Sequence, residues 1–300
     1  MRARVPFVVM SLLAPCGPVA VAQGWQVSPA RQEIRVAPGE SRTFPVRIER
    51  EAQPDAPGET IRFTIAPGDW DIARRGEMLL YPPQTTADSA CDWATFSPTG
   101  FTLAPGAAAD VRVTISVPPG TTPGLRRLGL FFEEHSPVPP AGPESRRLVI
   151  RYRLSTLVYV VVPEPDKQFA LGSVSVEQAA AGDVLVHAVL RNPGALHLRP
   201  THWVEVRDGA GKTLLRTEAT PTMVLLPGRE LEVDLRAPSG DRSEGPVQIR
   251  YVVDPGENLA LQAATAQLDP PPGGSSSATG SARWSTSWSP SRRSSSCWAR

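Results

Sequence analysis

From residue 25 to residue 162, apolar and polar side chains alternate in short runs separated by proline and glycine. A period of two puts one face of a strand in a core and the other in water. The alternation predicts strands over 34–36, 43–49, 61–66, 77–80, 95–97, 111–117, 128–133 and 148–162. A second series is predicted over 170–177, 184–191, 201–207, 214–218, 231–237, 247–254 and 260–268. Three of these strands follow the same phrase: Val36-Ala37-Pro38-Gly39, Leu103-Ala104-Pro105-Gly106 and Leu225-Leu226-Pro227-Gly228. Proline presets one turn dihedral and glycine accepts a positive one, so each phrase reverses the chain before a strand. Ala66-Pro67-Gly68-Asp69, Ser97-Pro98-Thr99-Gly100 and Pro118-Pro119-Gly120 read as further turns, and Asp208-Gly209-Ala210-Gly211 as a hairpin. No run keeps an apolar period of 3.6, so helices should be scarce. Many short strands without helical crossovers make an all-β chain of stacked sheets.

Composition changes this picture at the two ends and the middle. Arg2 and Arg4, the apolar run 5–13 and Ala20-Val21-Ala22 have the form of a signal peptide over 1–22, with cleavage after Ala22. The apolar run is too short to span a bilayer, so the mature chain is expected to be exported, with no integral membrane span. Pro163-Glu164-Pro165-Asp166 reads as a stiff linker between a domain over 23–163 and another over 164–269. Past Asp269 the chain turns to Pro, Gly, Ser, Arg and Trp without an acidic residue. Residues 270–300 are therefore expected to be disordered, and a shifted reading frame would produce such a composition. Cys91 and Cys297 remain after cleavage, too few for a disulfide scaffold, so the cores must hold the fold.

Thirty-one basic residues against thirty acidic ones give a formal net charge of +1, which makes no electrostatic case for nucleic acid. Asp208 to Thr213 ends like a phosphate loop, but Val206 stands where its first glycine belongs. His187, His197 and His202 lack the accompanying ligands of a metal site and read as surface or interstrand histidines. Asp69, Asp71 and Glu77 sit near Trp70 in what reads as a turn-rich loop. The sequence calls for no cofactor and carries no catalytic motif, so a non-enzymatic protein is expected.

The order of several short motifs is distinctive. Val27-Ser28-Pro29-Ala30-Arg31 is followed by a Pro-Gly phrase, Trp93-Ala94-Thr95-Phe96-Ser97-Pro98, a second Pro-Gly phrase and Val117-Pro118. Gly129-Leu130-Phe131-Phe132 and the run from Leu157 to Pro163 complete the order. It resembles the N-terminal immunoglobulin-like domain of periplasmic pilus-assembly chaperones of the PapD type. Leu190-Arg191-Asn192-Pro193-Gly194 and Leu226-Pro227-Gly228 are similar to their second domain. The resemblance implies two tandem immunoglobulin-like β-sandwiches and a periplasmic chaperone that completes a pilus or surface-fibre subunit by strand addition.

The donor strand would lie over 148–162. Its even positions Leu148, Ile150, Tyr152, Leu154, Val158, Val160 and Val162 should face the home core. Its odd positions begin polar at Arg151, Arg153 and Ser155 and turn apolar at Leu157, Tyr159 and Val161. That last row either meets an incoming strand or packs against the second domain. The resemblance also implies two basic residues that hold the subunit's terminal carboxylate. Arg31 stands at the first position. A lysine is expected shortly before Pro163, where Leu157, Val158 and Tyr159 stand instead, so Arg151 or Arg153 would have to substitute. The partner-binding set is thus Arg31, Arg151, Arg153, Leu157, Tyr159 and Val161. Self-association through a free strand edge, and a cell-envelope adhesion module holding a surface protein or peptidoglycan, are the alternatives.

Overall fold

A computed structural model describes residues 24–52, 60–135, 153–179, 183–238 and 246–268, and the backbone of 284–285. The first ten strands are β1 (Trp25–Ser28), β2 (Arg31–Arg35), β3 (Ser41–Arg50), β4 (Ile61–Ile72), β5 (Met78–Tyr81), β6 (Ala94–Ser97), β7 (Gly100–Leu103), β8 (Ala108–Ser116), β9 (Gly124–His135) and β10 (Arg153–Val162). Nine more follow: β11 (Ala170–Gln178), β12 (Asp183–Arg191), β13 (Thr201–Arg207), β14 (Thr213–Arg216), β15 (Thr220–Pro221), β16 (Glu230–Pro238), β17 (Val247–Asp254), β18 (Gln262–Leu268) and β19 (Trp284–Ser285). Among the described residues the one helical piece is a 3₁₀ turn over Cys91–Trp93. None of their helices is long and apolar enough to cross a membrane. The chain is all-β.

Two pairs of sheets form two β-sandwiches. In the first, the sheet β1-β3-β8-β6 faces the sheet β2-β10-β9-β4-β5, with β7 also on β4. Val46, Ile48, Phe63, Val113, Leu130, Val158 and Val160 lie between them. In the second, β11-β12-β16 faces β14-β13-β17-β18-β19, with β15 on β13. The Pro-Gly phrases turn as expected: Gly39, Gly106 and Gly228 have φ of 83°, 75° and 66°, and they introduce β3, β8 and β16. The hairpin at Asp208 also forms, with Asp208 Oδ1 accepting from the Ala210 and Lys212 amides at 3.0 and 2.8 Å.

One expected turn is absent. β4 runs straight through Ala66-Pro67-Gly68-Asp69, so Asp69 and Asp71 lie buried on a strand and not in a loop. Gly68 serves contact here: a Cβ on it would sit 2.6 Å from the Phe131 ring. The Ile65 amide donates to Thr99 O at 2.9 Å, so odd main-chain groups of β4 face away from β9. Pro67 therefore directs its missing N–H into the gap between β7, whose first residue Gly100 lies opposite Thr64, and β5, whose last residue Tyr81 lies opposite Asp69.

The expectations of a signal peptide over 1–22 and of strand at 148–152 lie outside the described residues. So does the expectation of a disordered tail, except at Trp284 and Ser285, whose backbone pairs with Ala266 and Thr265 of β18.

Candidate functional site

The chain's first strand changes sheets. β1 pairs with β3 as far as Ser28 opposite Arg47. After Pro29 and Ala30, β2 runs parallel to β10, from Arg31 opposite Leu157 to Arg35 opposite Val161. Thr156 Oγ1 donates to Pro29 O at 2.9 Å, and the Leu157 amide donates to Ala30 O at 3.0 Å. Neither β1 nor β2 is long enough to cover its neighbour. Among the described residues, residues 41–46 of β3 have strand partners only on β8, and residues 153–156 of β10 only on β9.

Main-chain direction alternates along a strand, so these bonds assign the remaining ones. Leu157 N–H points to β2, and so, two residues back, Ser155 and then Arg153 direct their N–H and C=O at the uncovered edge of β10. On β3, Arg50 N–H points to Ala107 O of the β8 side and Glu51 N–H to Gly24 O of the β1 side. Odd residues of β3 thus face the uncovered edge, and one of them is Pro45, which has no N–H to offer.

Side chains of β10 divide as its alternation predicts. Leu154, Val158, Val160 and Val162 face the core of the first sandwich. Arg153 lies on the opposite face, ion-paired with Glu133 and with its guanidinium 5.6 Å from the Phe131 ring centre. The apolar odd row at Leu157, Tyr159 and Val161 is not open to a partner: of its two alternatives, an incoming strand or the second domain, it meets the second domain. Tyr159 is 2% exposed and Val161 0%; Leu157 packs against the same apolar cluster, which also holds Leu196, Leu198, Leu225 and Leu226. The second sandwich covers that face. Arg151 lies outside the described residues.

Charge collects at the seam between the sandwiches. Arg31 is exposed on β2 and, among the described residues, has no ion-pair partner. Arg199, just before β13, sets its guanidinium 5.2 Å from the Tyr159 ring centre. Burial pushes the Tyr159 phenol up, while the charges of Arg199, Arg31 and Arg127 pull against it. Three guanidiniums, two from the first sandwich and one from the second, therefore act on one buried phenol.

Across the seam, Arg127 is 2% exposed and bonds Asp88 through Nε at 2.6 Å and Nη2 at 2.7 Å, and Asp71 at 3.3 Å. Asp71 also meets Arg229 of the second sandwich. Arg74 reaches Glu230 at 3.2 Å and Glu232 at 2.8 Å. Beside this cluster a cleft of about 670 Å³ opens between Asp88, Arg126, Ala195 and Gly228. Two backbone bonds also cross, Leu125 N–H to Ala195 O at 2.9 Å and Glu232 N–H to Arg74 O at 2.6 Å.

Asp69 makes an internal bracket. It accepts from the Thr86 amide at 2.7 Å, Ser89 Oγ at 2.6 Å and Cys91 Sγ at 3.1 Å. Burial pushes its carboxyl up, but these donors hold it below the usual range. Burial pushes the Cys91 thiol up to about 11, so this free cysteine is a core residue and no nucleophile. His187 bonds Asp234 at 2.6 Å and His202 bonds the Tyr251 hydroxyl at 2.7 Å, both between strands as expected. His197 lies elsewhere, in the seam itself. No group of three or more potential metal ligands converges among the described residues.

No protein-family model matches the chain, and no curated protein does. Its fold is similar to that of solved fimbrial chaperones. The class 5 fimbriae chaperone CfaA is 12% identical over 83% of this chain and 100% of its own, with a TM-score of 0.40. The CupB2 chaperone of Pseudomonas aeruginosa is 12% identical over 80% of this chain and 98% of its own, at 0.37. A chain of a chaperone–tip adhesin complex of CFA/I fimbriae is 11% identical over 81% and 98%, at 0.43. These likenesses concern the fold, and what this chain binds is a question for its own residues.

Proposed function

We propose that this protein is an exported, non-enzymatic chaperone for pilus or surface-fibre subunits, which it binds by β-strand addition along the uncovered half of β10. The supporting observation is the pair of main-chain positions at Arg153 and Ser155, directed at an edge that no described strand occupies. A partner strand laid there gains main-chain hydrogen bonds, each worth about 0.5–1.5 kcal/mol net. Leu157, Tyr159 and Val161 act from behind, by fixing the covered half of the same strand against the second sandwich.

The subunit's carboxylate falls to Arg31 and Arg199. The lysine that the chaperone resemblance leads one to expect before Pro163 is missing, and Arg199 supplies the second charge from the other sandwich. Guanidiniums suit the task because they hold a carboxylate through paired N–H donors. In this reading residues 1–22 are removed on export to the periplasm, and 23–163 and 164–269 are the two working domains.

Expression in the periplasm followed by affinity capture tests the proposal. A small β-rich subunit should co-purify in stoichiometric amount and be lost from the Ser155→Pro variant. The double variant Arg31→Ala/Arg199→Ala should weaken capture without changing the fold. Retention of cell wall in place of a subunit, unaffected by either variant, would make the protein an envelope adhesion module instead.

A further inference from the structure

We infer that His197 is an acid-sensitive latch between the two sandwiches: its neutral ring holds the seam closed, and protonation loosens it. The inference stands apart from the identity of any partner. His197 lies on the segment joining β12 to β13 and is 5% exposed. Its Nε2 is 3.1 Å from Glu33 Oε2 of β2, and its ring centre lies 4.8 Å from that of Tyr159 of β10 at 42°. One side chain of the second sandwich is thus seated on two strands of the first.

The tautomer follows from these contacts. A carboxylate only accepts, so Nε2 must carry the hydrogen, and Nδ1 is left as a bare lone pair. Nδ1 is buried without a hydrogen-bond partner. An acceptor left this way is tolerable on a neutral ring. Protonation would put an N–H with no acceptor, and a positive charge, into the same buried place.

The surroundings decide the direction. Burial is the strongest influence and disfavours the charged ring; Glu33 of β2 favours it, Arg199 on the same segment opposes it, and Glu257 of the β17–β18 turn favours it. Glu257 is itself held by Lys167 at 2.7 Å, which spends much of its charge elsewhere. Tyr159 presents a neutral phenol. The balance keeps His197 below the free value of 6.5. A histidine held low stabilises the closed seam fully above its free value, and that contribution is lost as the pH falls toward and through the lowered value.

Two observables report this. The His197 ring protons give its own titration by NMR, and the Leu125 amide reports the seam, because it donates to Ala195 O, two residues from His197. As the pH falls below about 6.5, Leu125 protection from exchange, corrected for intrinsic rate, should fall by several fold or more and level off below the midpoint of the His197 ring. The Val113 amide, in the first core, should not change.

Glu33→Gln removes the charge that favours the protonated ring, so both midpoints should move to lower pH together. His197→Gln keeps a donor for Glu33 and cannot titrate, so it should abolish the transition at Leu125. His202 is also held low by burial, but inside the second sandwich, and Glu33→Gln should leave its midpoint in place. Leu125 protection that stays constant while His197 titrates would overturn the latch, as would an unchanged transition in His197→Gln. If that variant does not fold, the joint shift in Glu33→Gln decides.

Discussion

The first sandwich has two half-covered edges, created by one event and treated oppositely. When the first strand leaves β3 at Ser28 and joins β10 at Arg31, it leaves residues 41–46 of one sheet and residues 153–156 of the other without a second strand partner among the described residues. On β3 the uncovered side meets Pro45, which cannot donate to a new strand. On β10 it meets Arg153 and Ser155, whose main chains are complete. Among the described residues, the same sheet-switching strand therefore leaves one edge interrupted by a proline and one that is not. An edge that recruits strands is a hazard unless it is guarded or used, and among the described residues only one of the two carries a proline.

The largest expected effect concerns the support behind the open edge. Arg127 of β9 lies opposite Tyr159 of β10, and its guanidinium joins Asp88 and Asp71. Arg127→Leu leaves two carboxylates without that cation and should cost about 3–5 kcal/mol in urea unfolding. A loss under about 1 kcal/mol would show that the cluster does not brace the sheet.

Ser155→Pro copies the guard of β3 onto β10. Subunit capture should fall at least about tenfold, about 1.4 kcal/mol, while the melting temperature stays within a few degrees. Undiminished capture would mean that the open half of β10 is not where the partner binds.

Pro45→Val makes the reverse change and adds a donor at residue 45, beside those of Ser41 and Thr43, on the uncovered side of β3. Stability should move by about 0.5 kcal/mol or less, but sedimentation should show a concentration-dependent dimer absent from the native chain. If the variant stays monomeric, Pro45 is not what keeps that edge closed.

The smallest effect belongs to Arg153→Gln. It removes an exposed ion pair with Glu133 and the contact with Phe131, worth about 0.5 kcal/mol together. Capture should be nearly unchanged, because the edge works through main-chain groups.

Local chemistry accounts for what could be read in advance. Period-two alternation and the Pro-Gly phrases locate β3, β8 and β16, since both act over a few neighbouring residues. The division of β10 into Val158, Val160 and Val162 on one side and Leu157, Tyr159 and Val161 on the other is legible for the same reason. What covers each side is not, because alternation says that a face is apolar and nothing of what lies on it. Ala66-Pro67-Gly68-Asp69 misleads because turn residues also serve where a ring needs room, as Phe131 does, or where an edge needs no donor. Arg199 and His197 reach Tyr159 from the far side of Pro163, and residue spacing holds no trace of such a meeting.

The apolar cluster that takes in Tyr159 and Val161 also takes in Trp70, Ile72 and Leu125 from one side of Pro163, and Leu198, Val204 and Tyr251 from the other. A short proline linker invites a cut, yet producing the two halves apart would strip two aromatic rings and three aliphatic side chains of their cover. The halves are interchangeable in outline and not in substance. A second sandwich borrowed from elsewhere would have to bring a matching surface, so the two are expected to melt together, and substitutions on the two sides of that surface to be non-additive.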